Sequence, residues 1–144
     1  MALKTVALVL GLSAVLNIAP PVFAQDAMTV ASGDFRDADN VHRGSGVASI
    51  SKNASGEYVL NLQRFSTTPG PDLEVWLVKA SGITTADQVL ASEYLSLGAL
   101  QSPTGDQTYT VPAGMSPDGY ASVVIWCKSF SVLFSAADLT ASAM

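Results

Sequence analysis

The stretch Val123-Val124-Ile125-Trp126-Cys127 places five apolar side chains in succession, between Ser122 and Lys128. A short run of this kind, rich in β-branched and aromatic residues, is typical of a central β-strand that is covered on both faces. Residues 130–134, with two phenylalanines, either continue this strand after a kink or pair back beside it. The stretch therefore predicts a sheet with its most buried strand near the end of the chain.

The rest of the chain repeats the pattern of short β-rich runs separated by turn residues. Further strands are predicted at residues 47–51, 58–65, 73–78 and 107–111. Turns rich in Gly, Pro, Asn and Asp separate them, among them Gly70-Pro71-Asp72. Two helical turns are predicted at residues 84–89 and 135–139, and both are too short to determine the fold. We expect an all-β, single-domain antiparallel β-sandwich or barrel with minor short helices.

The first residues have the features of a cleaved export signal. Lys4 is the single charge of a short basic region, and an apolar segment follows at residues 5–16. Val22-Phe23-Ala24 offers the residues that a signal peptidase reads, so we expect a signal peptide at residues 1–24 and one β domain at residues 25–144. An uncleaved anchor helix is disfavoured because the apolar run is short and ends at Pro20-Pro21. The expected location is periplasmic or extracellular, with a soluble mature protein.

The charge of the chain restricts its partners. Seven basic and twelve acidic side chains give a net charge of −5. An acidic protein repels phosphate backbones, so nucleic acid is excluded as an expected partner. The charges are scattered along the sequence, which is typical of a solvated surface.

Cys127 is the only cysteine in the chain. Exported proteins usually pair their cysteines or lack them, so a lone thiol needs an explanation. The sulfur is either a small apolar core group or a redox centre, and an unpaired thiol also permits a disulfide-linked dimer through Cys127. Lys128 would favour a reactive thiolate only if the backbone bends, because on a strand the two side chains point to opposite faces.

His42, the only histidine, lies in a polar stretch between predicted strands. It is a candidate haem or metal ligand, or a base for Cys127, but an isolated histidine is more often a turn residue. A blue-copper site needs two histidines, and zinc needs more ligands than the chain offers. Covalent haem and thioredoxin chemistry both need a second cysteine. Non-covalent haem held by Cys127, His42 or Met115 stays open. Apart from haem iron, no metal site is predicted.

Together these residues resemble a DM13 domain, a small extracellular module often found beside DOMON and cytochrome b561 domains. The most specific feature is a Gly-Pro-Asp-Leu turn followed at a distance by a Trp-Cys strand end. The matching positions are Gly33, Asp34, Phe35, His42, Gly46, Ala48, Leu60, Leu62, Phe65, Gly70, Pro71, Asp72, Leu73, Val75, Leu77, Leu97, Gly98, Leu100, Gly105, Gln107, Tyr109, Val111, Pro112, Tyr120, Val123, Ile125, Trp126, Cys127, Phe130, Phe134, Ala137 and Leu139.

This resemblance implies an electron-transfer or redox module rather than a turnover enzyme. It implies that Cys127 is the centre, as a bare thiol or as ligand to a group such as haem, with His42 as a second candidate ligand. From the residues themselves, Trp76 and Trp126 are expected to be core residues, and Trp126, beside Cys127, is also a candidate shield of a redox group from water. The resemblance also implies a redox or membrane-protein partner, since this chain has no haem-carrying domain beside it. The alternative is a non-catalytic binding module in which Cys127 is core packing.

Overall fold

The computed structural model describes residues 27–143, which form a β-rich domain. The predicted signal peptide, residues 1–24, lies outside the described residues. Between residues 27 and 143 the chain contains nine strands and one short helix. In chain order these are β1 (Met28–Asp37), β2 (Gly44–Lys52), β3 (Tyr58–Thr67), β4 (Leu73–Val78), α1 (Ala86–Leu90), β5 (Tyr94–Ala99), β6 (Gln107–Thr110), β7 (Ser122–Cys127), β8 (Val132–Asp138) and β9 (Thr140–Ala141).

Antiparallel pairing joins the strands in the order β5-β4-β7-β8-β1-β2-β3-β6, and β9 also pairs with β1. β1 belongs to two sheets, because its first part pairs with β2 while Phe35–Asp37 pair with β8. The larger apolar cluster draws side chains from both sheets, as in a β-sandwich. The predicted all-β fold is therefore confirmed.

β7 is the most buried strand of the sandwich, and all six of its residues are buried. It lies between β4 and β8, so its backbone is paired on both sides. Val123, Ile125 and Cys127 face the interior, while Val124 and Trp126 point to the outer face of the sheet. Burying each large apolar side chain here stabilises the fold by about 1.5–3 kcal/mol, before the cost in conformational entropy.

The outer face of β7 is covered by the segment between β4 and β5. Ile83 and Val89 pack there against a second apolar cluster. α1 begins after Thr85, which forms a capping box with Gln88. The helical turn predicted at residues 84–89 is confirmed, since the observed helix spans Ala86–Leu90. No helix among residues 27–143 has the length and hydropathy needed to cross a membrane.

The helical turn predicted at residues 135–139 is wrong, because this segment lies almost wholly within β8. Ala136 and Ala137 favour a helix in isolation, but here they pair with Val124 and Val123 of β7. Burial between two strands overrides their local preference. The second alternative for residues 130–134 is confirmed, since β8 turns back beside β7.

A bulge in the β2–β3 pair brings two backbones unusually close. Ser45 pairs with Ser66 and Val47 with Gln63, so Gly46 alone opposes two residues of β3. Gly46 has a φ of +105°, and Arg64 opposite has a φ of +48°. The amide of Arg64 donates to the carboxylate of Asp106, which helps to hold this conformation.

We expect Gly46→Ala to lower the free energy of unfolding by about 1–3 kcal/mol, measured by urea denaturation. The new Cβ would lie 2.7 Å from the Cα of Phe65 and 2.7 Å from the carbonyl oxygen of Gln63, and neither backbone atom can swing away. Gly82→Ala is the matched control, since Gly82 also has a positive φ but open space around it. Equal losses in both variants would contradict the close approach.

Candidate functional site

Four connections meet at the end of the sandwich where β7 finishes. Residue Cys127 pairs with Leu73 at the start of β4 and with Val132 at the start of β8. The connections at residues 38–43, 68–72, 100–106 and 128–131 therefore lie at one end, which we call the Cys127 end. Backbone hydrogen bonds tie them together, from Thr68 to Arg43 and from Lys128 to Asp72.

Cys127 is a free cysteine with only 2% of its surface exposed. It belongs to the larger apolar cluster, which includes Phe35, Phe65 and Phe134. Leu73, its cross-strand neighbour, lines an open cleft of about 250 Å³ at the surface. The sulfur thus lies in the core, but at the last position of its strand and beside a residue that reaches the surface.

The charge of Lys128 is directed away from Cys127. Its Nζ lies 3.6 Å from Oε1 of Glu74, whose other oxygen bonds to the outward-facing Trp76. This agrees with the expectation that neighbouring side chains point to opposite faces. Lys128 is therefore the partner of Glu74, and it leaves the sulfur in apolar surroundings.

His42 lies at the Cys127 end, in the loop between β1 and β2. Its Nδ1 lies 2.7 Å from Oδ2 of Asp39, and Oδ1 of the same carboxylate accepts from the amides of Val41 and His42. These hydrogen bonds lower the pKa of Asp39 to about 2, and the one with the His42 side chain has the largest effect. The arrangement is that of a turn residue held by a local carboxylate.

No hydrogen bond among the described residues joins His42 to Cys127. The His42 ring packs on Phe134, with 4.4 Å between ring centroids, and Phe134 shares the apolar cluster of Cys127. The two candidate ligands are therefore connected through core packing. Their assignment as site residues stays a prediction.

Three aromatic rings lie together on the outer face of the sheet, at diagonal positions of adjacent strands. Trp76 of β4 stacks on Tyr94 of β5, with 3.8 Å between centroids and 4° between planes. Trp76 also contacts Trp126 of β7, with 5.3 Å between centroids. Both tryptophans are buried, as expected of core residues in a domain of this size. Their meeting depends on the β4–β7 register, and Tyr94 gave no signal in the sequence.

Glu74 connects this aromatic cluster to the Cys127 end. Its Oε2 accepts from Nε1 of Trp76 at 2.7 Å and from Oγ of Ser96 at 2.9 Å. The hydrogen bond from Trp76 is the largest cause that lowers the pKa of Glu74 below its usual value, and Ser96 and Lys128 add to it. Burial opposes the shift, because only 16% of the side chain is exposed.

We expect Glu74 to contribute to the loss of stability in acid. A carboxyl group whose pKa is lower in the folded state stabilises the protein above its unfolded pKa, near 4.5, and this contribution is lost as the pH falls through the lower folded value. Urea denaturation should be measured from neutral pH down to pH values below the folded-state pKa of Glu74. The free energy of unfolding should fall less over this range in Glu74→Gln than in the unsubstituted protein.

Glu93→Gln is the control for this measurement. Glu93 also has a lowered pKa, through its ion pair with Lys79, but it is fully exposed and screened by solvent. Its substitution should leave the acid dependence almost unchanged. Identical acid profiles for Glu74→Gln and the unsubstituted protein would contradict the role given to Glu74.

The described residues contain no cluster of three or more His, Cys, Asp or Glu side chains that could hold a metal ion. Met115, the third candidate haem ligand, lies between β6 and β7, at the other end of the sandwich from Cys127. It lines a cleft with residues of the β2–β3 turn. Cys127 and Met115 are therefore separated by the length of β7.

Comparison with protein families gives one relation for this chain. A family model described as "Electron transfer DM13" matches residues 34–139, well over half of the chain. The match includes β2 to β8, His42, Cys127 and the three outer aromatic rings. No curated protein and no solved structure matches the chain in the corresponding comparisons.

Proposed function

Because the chain belongs to the DM13 family of electron-transfer domains, we propose that it is an exported electron-transfer module with Cys127 as its redox-active side chain. The observation that carries the proposal is the position of the sulfur, buried at 2% exposure but at the last residue of β7. A buried group can exchange electrons through the protein, since electron transfer requires proximity and no direct contact with the partner.

Burial selects one kind of thiol chemistry over another. Thiol–disulfide exchange requires a thiolate to attack a sulfur in line, which a solvent-sealed side chain cannot do. One-electron oxidation has no such requirement. It breaks the S–H bond of Cys127, passes one electron to an external one-electron oxidant, and leaves a thiyl radical. The S–H proton passes to solvent water at the hairpin of residues 128–131, which directly follows Cys127.

Haem does not fit the residues that the sequence offers for it. A haem iron bound to Cys127 would need the porphyrin to occupy the space that Phe35, Phe65 and Phe134 fill. Met115 lies at the other end of the sandwich from Cys127, so these two candidate ligands cannot share one iron. The chemistry proposed for Cys127 is therefore that of the thiol itself.

The proposed setting is the periplasm or the extracellular space, with a redox protein or membrane protein as partner. The export signal predicted at residues 1–24 supports this setting. A disulfide between two copies is less favoured, because the two sulfurs could meet only if the Cys127 end opened. Electron exchange with a separate partner leaves the core closed.

A second candidate function is a binding module in which Cys127 is core packing. It is favoured by the same burial, together with the direction of Lys128 away from the sulfur. An apolar environment of this kind usually keeps a cysteine inert. The two candidates differ in whether the sulfur gives up an electron in the folded protein.

We expect Cys127→Ser and Cys127→Ala to abolish a phase of one-electron oxidation that the unsubstituted protein shows. The measurement is stopped-flow consumption of an inorganic one-electron oxidant, hexachloroiridate(IV), with spin trapping and mass spectrometry to locate the radical. Met115→Leu is the control, because it removes an exposed oxidisable side chain at the other end of the sandwich. Equal oxidant consumption by folded samples of all four proteins would favour the binding module.

A further inference from the structure

We propose that Tyr94, Trp76 and Trp126 form an electron-transfer route from the surface of the protein to the residue beside Cys127. This inference deepens the proposed function and rests on it for its biological direction. The rings form a continuous series across β5, β4 and β7. Their exposures fall from 51% at Tyr94 to 5% at Trp76 and 1% at Trp126, so the series runs from solvent into the core.

The outer step joins Tyr94 to Trp76. The two rings are parallel within 4° and their centroids are 3.8 Å apart, so their π systems are in van der Waals contact. Tyrosine and tryptophan are among the side chains most readily oxidised by one electron. Because the Tyr94 ring is half exposed on an edge strand, an oxidant can reach it without opening the fold.

The inner step joins Trp76 to Trp126. Their centroids are 5.3 Å apart and their planes are tilted by 32°, a contact distance for aromatic pairs. Tunnelling rates fall steeply with distance, so a series of short steps between oxidisable rings is faster than one long step. Trp126 is bonded through the main chain to Cys127, whose side chain lies on the opposite face of the same strand.

Glu74 provides a proton acceptor at the middle of the route. Oxidation makes the N–H of an indole strongly acidic, and Nε1 of Trp76 already donates to Oε2 of Glu74 at 2.7 Å. The chain thus places a carboxylate at the atom that must release a proton. Within the series, Trp76 is the ring whose N–H donates to a carboxylate, and Ser96 and Lys128 hold that carboxylate in place.

Electrons and protons balance along the route. A docked one-electron oxidant takes one electron from Trp76 through Tyr94, and the Nε1 proton passes to Glu74, which leaves a neutral indolyl radical. Trp126 then reduces Trp76 by one electron while the proton returns from Glu74 to Nε1. The radical cation on Trp126 is filled by one electron from Cys127, whose S–H proton leaves as described above.

Flash photolysis with a ruthenium(III) polypyridyl oxidant tests the route, first on the Cys127→Ser protein so that the result does not depend on the thiol. Transient absorption and freeze-quench electron paramagnetic resonance distinguish tyrosyl, neutral indolyl and indole radical-cation signals. We expect a radical on Trp126 in this protein. Adding Trp76→Phe should cause its loss and leave the radical on Tyr94. Formation of the Trp126 radical at an unchanged rate would overturn the route.

Tyr94→Leu, with Tyr58→Leu as its control, and Glu74→Gln keep the test valid if Trp76→Phe fails to fold, because none of them removes a fully buried ring. Tyr94→Leu should slow radical formation, whereas Tyr58→Leu, at a half-buried tyrosine of the other sheet, should not. Glu74→Gln keeps every ring and should replace the neutral Trp76 radical by the radical cation. Equal rates for the two tyrosine variants would overturn the route.

The same signals separate the route from the role of Cys127. If the thiol supplies the electron, the Trp126 radical should disappear faster in the protein with Cys127 than in Cys127→Ser. A route signal with an unchanged lifetime would support the route and overturn the role of Cys127. Oxidation of Cys127 at a rate that Tyr94→Leu and Trp76→Phe leave unchanged would support the role of Cys127 and overturn the route.

Discussion

The burial of β7 on both faces is the constraint on which the other features depend. Its backbone is paired on each side, and its side chains alternate between two apolar clusters. Because the side-chain period of a strand is two, adjacent residues Trp126 and Cys127 must lie on opposite faces. One strand therefore carries a thiol on the inside of the sandwich and an indole on the outside.

This arrangement explains how a member of an electron-transfer family can carry its cysteine sulfur sealed in the core. A nucleophilic thiol would need an opening, a nearby positive charge or a donor. Here Lys128 bonds to Glu74, and Cys127 is covered by apolar side chains. Electron exchange tolerates such enclosure, and the outer aromatic rings offer the short steps that it needs. The same burial that makes the sulfur unreactive toward solutes would protect a radical from side reactions.

Much of the sandwich could be predicted from local patterns, while the aromatic route could not. The apolar run of β7 and the turn at Gly70-Pro71-Asp72 have strong signals, and so do β3 and β4. β1 and β5 have few β-branched residues, and residues 135–139 have a helical composition that pairing overrides.

The contacts that matter most depend on register. Trp76 and Trp126 meet because Trp76 pairs with Val124, and Tyr94 reaches Trp76 because it pairs with Val78. These are relations between distant segments, which a single sequence does not encode in any local pattern. The burial of Cys127 could be suspected from its apolar neighbours, but the outward direction of the Lys128 charge required the position of Glu74.

The enclosure of Cys127 is tested most directly by its rate of alkylation with iodoacetamide in the folded protein as urea is increased. If the sulfur is sealed in the core, the rate should follow global unfolding, with the same dependence on urea as the equilibrium transition. Alkylation at the rate of an unfolded thiol, independent of urea below the transition, would contradict the account.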